Sequence, residues 1–510
     1  MIFSRQSVKF FSASLLLILP VGLNVSFADS EKPVLPKGEA FHVYLVLGKT
    51  GMVKPVAAPE EMEPLERCFL LSAEGEWEQA LTAGDNIIGS AGGARTGPLP
   101  SFAQAMLKQD ASVTIGLVIR TQPETNIEEW GMKTKAYRAA RKAGKTAAKD
   151  GTLKGILWQG SGAKSPLFTD LDHLKTLFSN FRTDLRLLNL PVVLGEAPKS
   201  KSATTQIRAL ADDVHATASV APGAGGSGYA QAMLKLHREW PDDLPAPEPD
   251  IPLIDPHIHA MANKPGGLDP VVAWMERNGI ERCITSPIGD SRPKNAQERE
   301  VMLANHRKYR GKIERYCLIK PGEVSSVEEA VKILEAEKAA GAVGFGEHYG
   351  HDLMFDDPKN LILYEACAKV GLPVMFHIDA SKNMVEQGMR RVERVLEMYP
   401  DCKIIAHAYW WLHLPDGTCD RMLSRHPNLY ADVSGTRMVG VLNRDRGYTR
   451  EFLNRHQDRI LFATDAGWWS FKKPKAEREL QFELFEQLGL SDAVKRKIYR
   501  YNAAKLFGFE

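Results

Sequence analysis

The chain has 510 residues, of which 44% are hydrophobic and 25% are charged. These fractions exclude a disordered chain, and the length exceeds what one ordinary core needs, so we expect two globular domains. The formal net charge of +2 gives no reason to expect nucleic acid or an anionic membrane as a partner. The six cysteines are scattered without a C-x-x-C pair, which favours small buried side chains and leaves one or two disulfides open.

Residues 1–28 have the pattern of a cleaved secretory signal. Arg5 and Lys9 precede an apolar run from Phe10 to Leu23, and Ser26-Phe27-Ala28 places small residues where signal peptidase cleaves. We therefore expect an exported protein, periplasmic or secreted, that starts near Asp29. An uncleaved anchor is the less favoured alternative, because the apolar run is short for a membrane span. No later segment is apolar enough to cross a membrane.

Residues 29–240 alternate between strand-like and helix-like segments. The segments that carry a family resemblance are Phe41–Gly48, Ser101–Leu107, Val113–Val118, Ile127–Trp130, Gly151–Trp158 and Leu190–Glu196. This series resembles the sialate O-acetylesterase group of SGNH hydrolases. The resemblance implies a three-layer α/β/α, flavodoxin-like domain.

The catalytic positions of that family are not matched here. The family's first strand ends in G-Q-S-N-M, but here the nucleophilic serine is replaced by Thr50 beside Lys49. The family's H-Q-G-E segment is Gln159-Gly160-Ser161-Gly162, and residues 220–228 form a glycine-rich run without the family's Asp and His. Since a hydroxyl nucleophile without a base is weak, we expect an inactive domain with a structural or carbohydrate-binding role.

Residues 241–250 are rich in proline and acidic residues, which predicts an extended linker between the domains. From residue 251 to 510, strand-like and helix-like segments alternate again. The strand-like runs are Ile251–Ile254, Arg282–Ser286, Tyr316–Ile319, Ala342–Phe345, Pro373–His377, Lys403–His407, Asn428–Val433 and Arg459–Thr464. This alternation predicts a (β/α)8 TIM barrel, whose active sites lie at the carboxyl ends of the strands.

Six residues with metal-ligand side chains lie at or just past the ends of these runs: His257, His259, Glu347, His377, His407 and Asp465. His257 and His259 are two residues apart on a strand, so their side chains point to the same face. Imidazole and carboxylate ligands suit zinc, manganese or iron. We expect one or two divalent ions, with zinc as the first choice.

The order of these six residues resembles the amidohydrolase superfamily, and in particular its amidohydrolase-related branch of metal-dependent hydrolases and some decarboxylases. The resemblance covers residues 253–507. It implies that Asp465 takes a proton from water and passes it to the leaving group, while His407 or His377 polarises the scissile carbonyl. Glu347 stands where many relatives have a carboxylated lysine, so it either bridges two metals or lies beside one.

Other side chains at this end of the barrel have two interpretations each. Tyr409-Trp410-Trp411 and Trp468-Trp469 are stacking walls for a ring-shaped substrate, or they pack beneath the loops. Arg437 holds a substrate carboxylate, or it is a solvated surface residue. We expect one of His348 and His351 to line the pocket and neither to be a primary ligand.

Together these patterns predict an exported metal-dependent hydrolase that acts on an ester, lactone or amide. A metal-dependent decarboxylase on the same barrel is the alternative, and a non-catalytic carbohydrate-binding protein is a third. The expected partner is a small-molecule or carbohydrate-derived substrate, with no nucleic acid. The sequence leaves the oligomeric state open.

Overall fold

The computed structural model describes residues 35–36, 38–49, 54–56, 63–83, 86–88, 94–96, 98–122, 127–159, 167–195, 201–221, 224–240, 251–379, 386–471 and 480–509. The predicted signal segment, the predicted linker at 241–250 and Thr50 lie outside these residues. Within them, no helix is both long and apolar enough to cross a lipid bilayer. All six cysteines are described, and all are buried and free of disulfides.

The first half of the chain forms a ten-stranded sheet with helices on both faces. Its strands are β1 (Gly38–Lys49), β2 (Lys54–Val56), β3 (Glu63–Leu71), β4 (Trp77–Ala83), β5 (Asn86–Ile88), β6 (Ala94–Thr96), β7 (Thr114–Gln122), β8 (Gly151–Gln159), β9 (Val192–Gly195) and β10 (Thr217–Val220). Its helices are α1 (Leu99–Gln109), α2 (Lys135–Ala147), α3 (Leu167–Asp184), α4 (Lys201–Asp213) and α5 (Gly225–Glu239).

The strand order of this sheet is β10-β9-β8-β1-β7-β3-β4-β5-β6-β2. The six strands from β10 to β3 are parallel, and the remaining four add on in antiparallel pairs. Alternate residues of β1 serve the two faces: Val43 and Leu45 pack in the cluster formed with α2, α3 and α4, and Tyr44 and Val46 pack with α1 and α5. The predicted three-layer α/β/α arrangement is therefore confirmed.

The second half forms a closed parallel barrel. Its strands are β11 (Leu253–His259), β12 (Ile280–Thr285), β13 (Ile313–Cys317), β14 (Ala342–His348), β15 (Val374–Ile378), β16 (Ile404–Ala408), β17 (Leu429–Asp432), β18 (Ile460–Leu461) and β19 (Ala466–Gly467). Its helices are α6 (Asp269–Asn278), α7 (Ala296–Lys308), α8 (Val327–Ala339), α9 (Pro358–Val370), α10 (Glu386–Met398), α11 (Thr418–Arg425), α12 (Thr436–Arg444), α13 (Arg446–Arg455), α14 (Trp468–Phe471), α15 (Leu480–Gln487), α16 (Asp492–Arg496) and α17 (Asn502–Phe507).

The eighth barrel strand is present in two pieces. β18 pairs with β17, and β19 pairs with β11, so the two pieces close the sheet between its last and first strands. The break between them is tied to β11 by Thr464, whose hydroxyl donates to Asp255 Oδ2 at 2.6 Å. The predicted TIM barrel is confirmed, and its eighth strand is shorter than the strand-like run suggested.

The two halves pack against each other through α3 and α12. The Ser179 hydroxyl on α3 donates to the backbone oxygen of Gly440, and Arg444 pairs with Asp172 at 2.6 Å. Leu188, which follows α3, is buried in the core between the barrel and its helices. Because α12 follows β17 directly, this contact supports the part of the barrel that leads into the candidate site.

Candidate metal centre

The barrel brings all six predicted ligands together at the carboxyl ends of its strands. Two groups of three have nitrogen or oxygen atoms within 4.8 Å of one another: His257, His259 and Asp465, and Glu347, His377 and His407. Glu347 joins the groups, because its Oε2 atom lies 3.5 Å from the Nε2 atoms of both His257 and His259. The six residues therefore form a single cluster.

Unusual backbone conformations occur at two places in the cluster, at Asp465 and directly after His407. Asp465 lies in the break of the eighth strand with φ 58°, and its backbone nitrogen donates to the oxygen of His257 at 3.0 Å. Ala408, directly after His407, has φ 62°. L-residues rarely adopt positive φ outside turns and functional sites. These two positions turn the chain sharply just where the barrel strands reach the cluster.

Asp432, at the end of β17, is a seventh buried member that was not predicted. Its Oδ2 atom lies 3.0 Å from His257 Nδ1, and its Oδ1 atom lies 3.0 Å from His407 Nδ1. Ser434 donates to the same Oδ1 atom from its hydroxyl at 2.6 Å and from its backbone nitrogen at 3.2 Å. The signal was available, since Asp432 lies near the end of the strand-like run Asn428–Val433, and the six predicted residues lie at or just past the ends of similar runs.

Ser286, after β12, supports the opposite side of the cluster. Its backbone oxygen lies 3.2 Å from His259 Nδ1, and its hydroxyl accepts from the backbone nitrogen of Glu347 at 2.6 Å. The first contact leaves His259 Nε2 facing Asp465 Oδ1 at 2.9 Å. One serine therefore holds both the His259 ring and the backbone of Glu347.

The electrostatics of the cluster keep its carboxylates charged. Burial opposes the ionisation of Glu347, but the hydrogen bond with His377 and the charges of His257 and His377 outweigh burial and hold its pKa well below the usual range. The pKa of Asp465 is also lowered, because the neighbouring histidines, His259 foremost, outweigh its burial. Burial opposes the protonation of His257, but the hydrogen bond that its ring donates to Asp432 and the charges of Glu347 and Asp432 outweigh burial and raise its pKa well above the usual value.

Two buried atoms in the centre of the cluster have no hydrogen-bond partner: His257 Nε2 and Glu347 Oε2. A neutral imidazole whose Nδ1 atom donates to Asp432 presents a lone pair at Nε2, and Glu347 presents another. Two acceptors that face each other across 3.5 Å repel unless a cation lies between them, which is either a proton on His257, as its raised pKa indicates, or a metal ion that replaces the proton. Nitrogen and carboxylate oxygen are the ligand types that Zn²⁺, Mn²⁺ and Fe²⁺ bind, so this donor set fits a divalent ion.

Some aromatic residues around the cluster are buried in the protein core, and others are exposed at the edge of the site. Trp410 and Trp411 are fully buried, and Trp411 Nε1 donates to the backbone oxygen of Asp432 at 2.6 Å, so both support the barrel from beneath. Trp469 is 53% exposed, with its ring centroid 6.5 Å from that of His259. Tyr349, which was not predicted, stacks on His377 with ring centroids 4.1 Å apart.

The structure also places three further predicted positions. The exposed Arg437 donates to the Tyr409 hydroxyl at 2.7 Å and lies 5.1 Å from the centre of its ring. His348 does not line the pocket, because it is fully buried against Phe355 and Tyr364 on the helix side of β14. His351 is half-buried in the turn that follows, and neither histidine belongs to the groups of potential ligands.

Comparison with known proteins gives two family matches. The family described as "Amidohydrolase" matches residues 254–509. The family described as "Carbohydrate esterase, sialic acid-specific acetylesterase" matches residues 40–237. No curated protein matches the chain.

Solved structures resemble each half separately. A protein from Arabidopsis thaliana has 22% identity and a TM-score of 0.32, and the match covers 38% of this chain and 98% of that one. An uncharacterized TIM-barrel protein from Bordetella bronchiseptica has 18% identity and a TM-score of 0.39, with 51% and 99% covered. A 5-carboxyvanillate decarboxylase from Sphingomonas paucimobilis has 14% identity and a TM-score of 0.37, with 51% and 100% covered.

The amidohydrolase match is the one that bears on the metal centre. It spans just over half of the chain and includes all six clustered residues together with Asp432. The chain therefore belongs to the amidohydrolase family.

Proposed function

We propose that this protein is an exported, metal-dependent hydrolase, with its chemistry at the mouth of the C-terminal barrel. The observation that supports it most is the buried cluster of histidines and carboxylates, in which His257 Nε2 and Glu347 Oε2 face each other without a partner. We propose all six clustered residues as metal ligands or direct neighbours of the metal. Zinc is the preferred ion, with manganese or iron as alternatives.

A divalent ion bound there would act as a Lewis acid and make water acidic enough to lose a proton near neutral pH. Asp465 is the residue placed to receive that proton. Its side chain is 31% exposed, whereas those of Glu347 and His257 are at most 1% exposed, so water and substrate can reach it. Its Oδ1 atom is held by His259 at 2.9 Å, which orients the carboxylate for proton transfer to a leaving group.

His407 is the second proposed catalytic residue. Its Nδ1 atom is engaged by Asp432 and Ser434, and its Nε2 atom lies 3.5 Å from Glu347 Oε1. This leaves the Nε2 side of the ring facing the site, where the ring, when protonated at both nitrogens, can donate to and polarise a substrate carbonyl. Tyr349, stacked on His377, covers one face of that ring.

The residues at the edge of the site, Trp469, Arg437 and Tyr409, favour a substrate with a flat ring and a negative charge. Trp469 offers an exposed aromatic face, and Arg437, held by Tyr409, offers a guanidinium that can bind a carboxylate. The proposed hydrolase substrate is therefore an ester, lactone or amide on such a ring. Arg437 also favours the second candidate function, decarboxylation of an aromatic acid in the same site.

The two functions are distinguished by product analysis on the zinc-loaded, full-length protein. We expect cyclic lactones, aryl esters or amides to release a new carboxylic acid, and Asp465→Asn to lower kcat by at least about 100-fold. The matched control is Asp416→Asn, which changes an exposed carboxylate on a loop of the same barrel and should leave kcat unchanged. Release of CO2 from carboxylated phenols, with no turnover of the other substrates, would establish the decarboxylase instead.

The location of the protein and the role of its first domain belong to the same proposal. We propose that residues 1–28 direct export and that the mature protein begins near Asp29, as N-terminal sequencing of the protein from the periplasm or medium would test. Intact Met1 on cytoplasmic protein would contradict it.

We propose a structural or carbohydrate-binding role for the first domain, and a small-molecule or carbohydrate-derived substrate as the partner.

A further inference from the structure

The proposed metal site needs its histidines in one particular protonation pattern, and Asp432 lies where it can impose that pattern on two of them. Its side chain is fully buried, and its two oxygens face two different rings, at 3.0 Å from His257 Nδ1 and 3.0 Å from His407 Nδ1. These are hydrogen-bond distances. The three residues could themselves hold an ion between their facing atoms. The Nε2 atoms of both rings, however, face Glu347 and the rest of the cluster, so Asp432 lies behind the two rings as their hydrogen-bond partner.

The surrounding hydrogen bonds decide where the protons lie. The Ser434 hydroxyl is 2.6 Å from Asp432 Oδ1, which is a normal distance for donation to a carboxylate. That hydroxyl therefore has no proton left for His407 Nδ1, which lies 2.7 Å from Ser434 Oγ and must donate to it. A carboxylate accepts but does not donate, so His257 Nδ1 must donate to Oδ2 in the same way.

We infer that Asp432 is a positioning residue that keeps a proton on the Nδ1 atoms of both His257 and His407, so that both Nε2 atoms face Glu347 and the proposed metal. The Nε2 atoms of both rings lie 3.5 Å from Glu347 oxygens, on the side away from Asp432. One carboxylate thus couples the first strand of the barrel to the sixth. This inference rests on the proposed metal site but concerns ring protonation, which is measurable without the metal.

The test uses the full-length protein with histidine labelled with ¹⁵N, first without metal. Spectra of His257→Gln and His407→Gln assign the two rings by the signals that disappear. In the wild type we expect a protonated Nδ1 in both rings. In Asp432→Asn the amide NH2 group donates in place of accepting, so we expect at least one ring to lose its Nδ1 proton. A wild-type spectrum with an unprotonated Nδ1 in either ring, or an unchanged Asp432→Asn spectrum, would overturn the inference.

The second measurement is the affinity for Zn²⁺ by competition with a chelator. Loss of such a partner of a ligand weakens metal binding about 10–100-fold, and we expect this for Asp432→Asn. The matched control is Asp356→Asn, which changes another buried carboxylate, paired with Arg391 at 2.7 Å outside the cluster, and should leave the affinity within about twofold. Equal affinity of Asp432→Asn and the wild type would contradict the positioning role.

A second variant covers the case in which Asp432→Asn does not fold. Ser434→Ala removes the hydroxyl but leaves both carboxylate oxygens, so both rings should keep a protonated Nδ1 and the Zn²⁺ affinity should fall less than 10-fold. A shift of the His407 proton to Nε2 in Ser434→Ala would place control of that ring in Ser434 and overturn the role assigned to Asp432. If the wild type binds no Zn²⁺ but keeps both Nδ1 protons, the proposed function fails and the positioning role stands.

Discussion

At the scale of single residues, the sequence predicts which histidines and carboxylates come together, but not the residues that hold them in place. The structure clusters the six residues predicted from strand-end histidines and carboxylates: His257, His259, Glu347, His377, His407 and Asp465. Asp432 carries the same signal, but its partners His257 and His407 lie 175 and 25 residues away along the chain. Only the closed barrel brings them within hydrogen-bonding distance.

A buried histidine outside the cluster gives a prediction about pH. His306 on α7 is buried between Thr285 and the backbone oxygen of Ile313, and burial, aided by the nearby Arg315 charge, lowers its pKa to about 4 although the Ile313 contact opposes this. The unfolded chain binds a proton near pH 6.5, whereas the folded chain does so only near pH 4. The contribution of His306 is present above pH 6.5 and is lost as the pH falls towards 4.

We therefore expect the free energy of unfolding of the wild type to fall between pH 6.5 and 4 by up to about 3 kcal/mol more than that of His306→Gln. The measurement is urea unfolding at a series of pH values. His173→Gln, at an exposed position, should keep the slope of the wild type. Parallel curves for His306→Gln and the wild type would show that His306 is not held neutral by the fold.

At the scale of elements, the alternation of strands and helices predicted the barrel, but not the break in its eighth strand. The run from Arg459 to Thr464 is apolar and strand-like throughout, so sequence periodicity predicts one continuous strand. The chain departs from it because Thr464 is bound to Asp255 and because Asp465 adopts a positive φ. Such tertiary hydrogen bonds are not encoded in the local pattern.

The tie between Thr464 and Asp255 gives a prediction about stability. Asp255 is fully buried, and burial raises its pKa to about 7 despite the hydrogen bonds from Thr464 and the His257 backbone. Thr464→Val keeps the shape but removes the hydroxyl donor, which should lower the free energy of unfolding by about 1–3 kcal/mol. Urea unfolding at a constant pH above 7, where Asp255 is ionised, measures this loss.

Thr449→Val is the matched control for that variant. Thr449 is also buried, and its hydroxyl donates to the backbone oxygen of Leu442 at 2.8 Å, which is a bond to a neutral acceptor. Because a bond to a carboxylate is stronger, the loss at Thr464 should exceed the loss at Thr449. An equal or smaller loss at Thr464 would mean that the broken strand does not depend on this bond.

At the scale of the whole molecule, the chain joins an esterase-like sheet to a barrel that carries the metal-ligand cluster. Both folds were predictable, because strand-like and helix-like segments alternate along each half and each half has its own family resemblance. The packing of α3 on α12 was not predictable, since Ser179 and Gly440 have no sequence signal that relates them. The positions that separate the first domain from active esterases, at Thr50, residues 160–162 and residues 222–223, lie outside the described residues.

The expected loss of esterase chemistry in the first domain stays a prediction. A nucleophile, base and acid act as a unit, so a threonine without its histidine partner should give no turnover. His215, the histidine nearest in sequence to the missing loop, is bound to the backbone oxygen of Leu188 and lies beside Arg182, which removes it as a base. We expect Thr50→Ala to leave any turnover of an aryl acetate by the full-length protein unchanged.

Asp465→Ala is the paired variant for that assay. Turnover that vanishes only in Asp465→Ala assigns the chemistry to the barrel, as proposed. Turnover that vanishes in Thr50→Ala would mean that the first domain is a working threonine esterase.

The central claim is that the barrel holds a catalytic divalent metal, and metal content combined with activity tests it most directly. Elemental analysis of the full-length protein, purified without chelator, should find about one or two zinc, manganese or iron ions per chain. Glu347→Gln, which neutralises the carboxylate that joins both groups of ligands, should lower both the metal content and the activity. A folded protein that is free of metal and still fully active would contradict the claim.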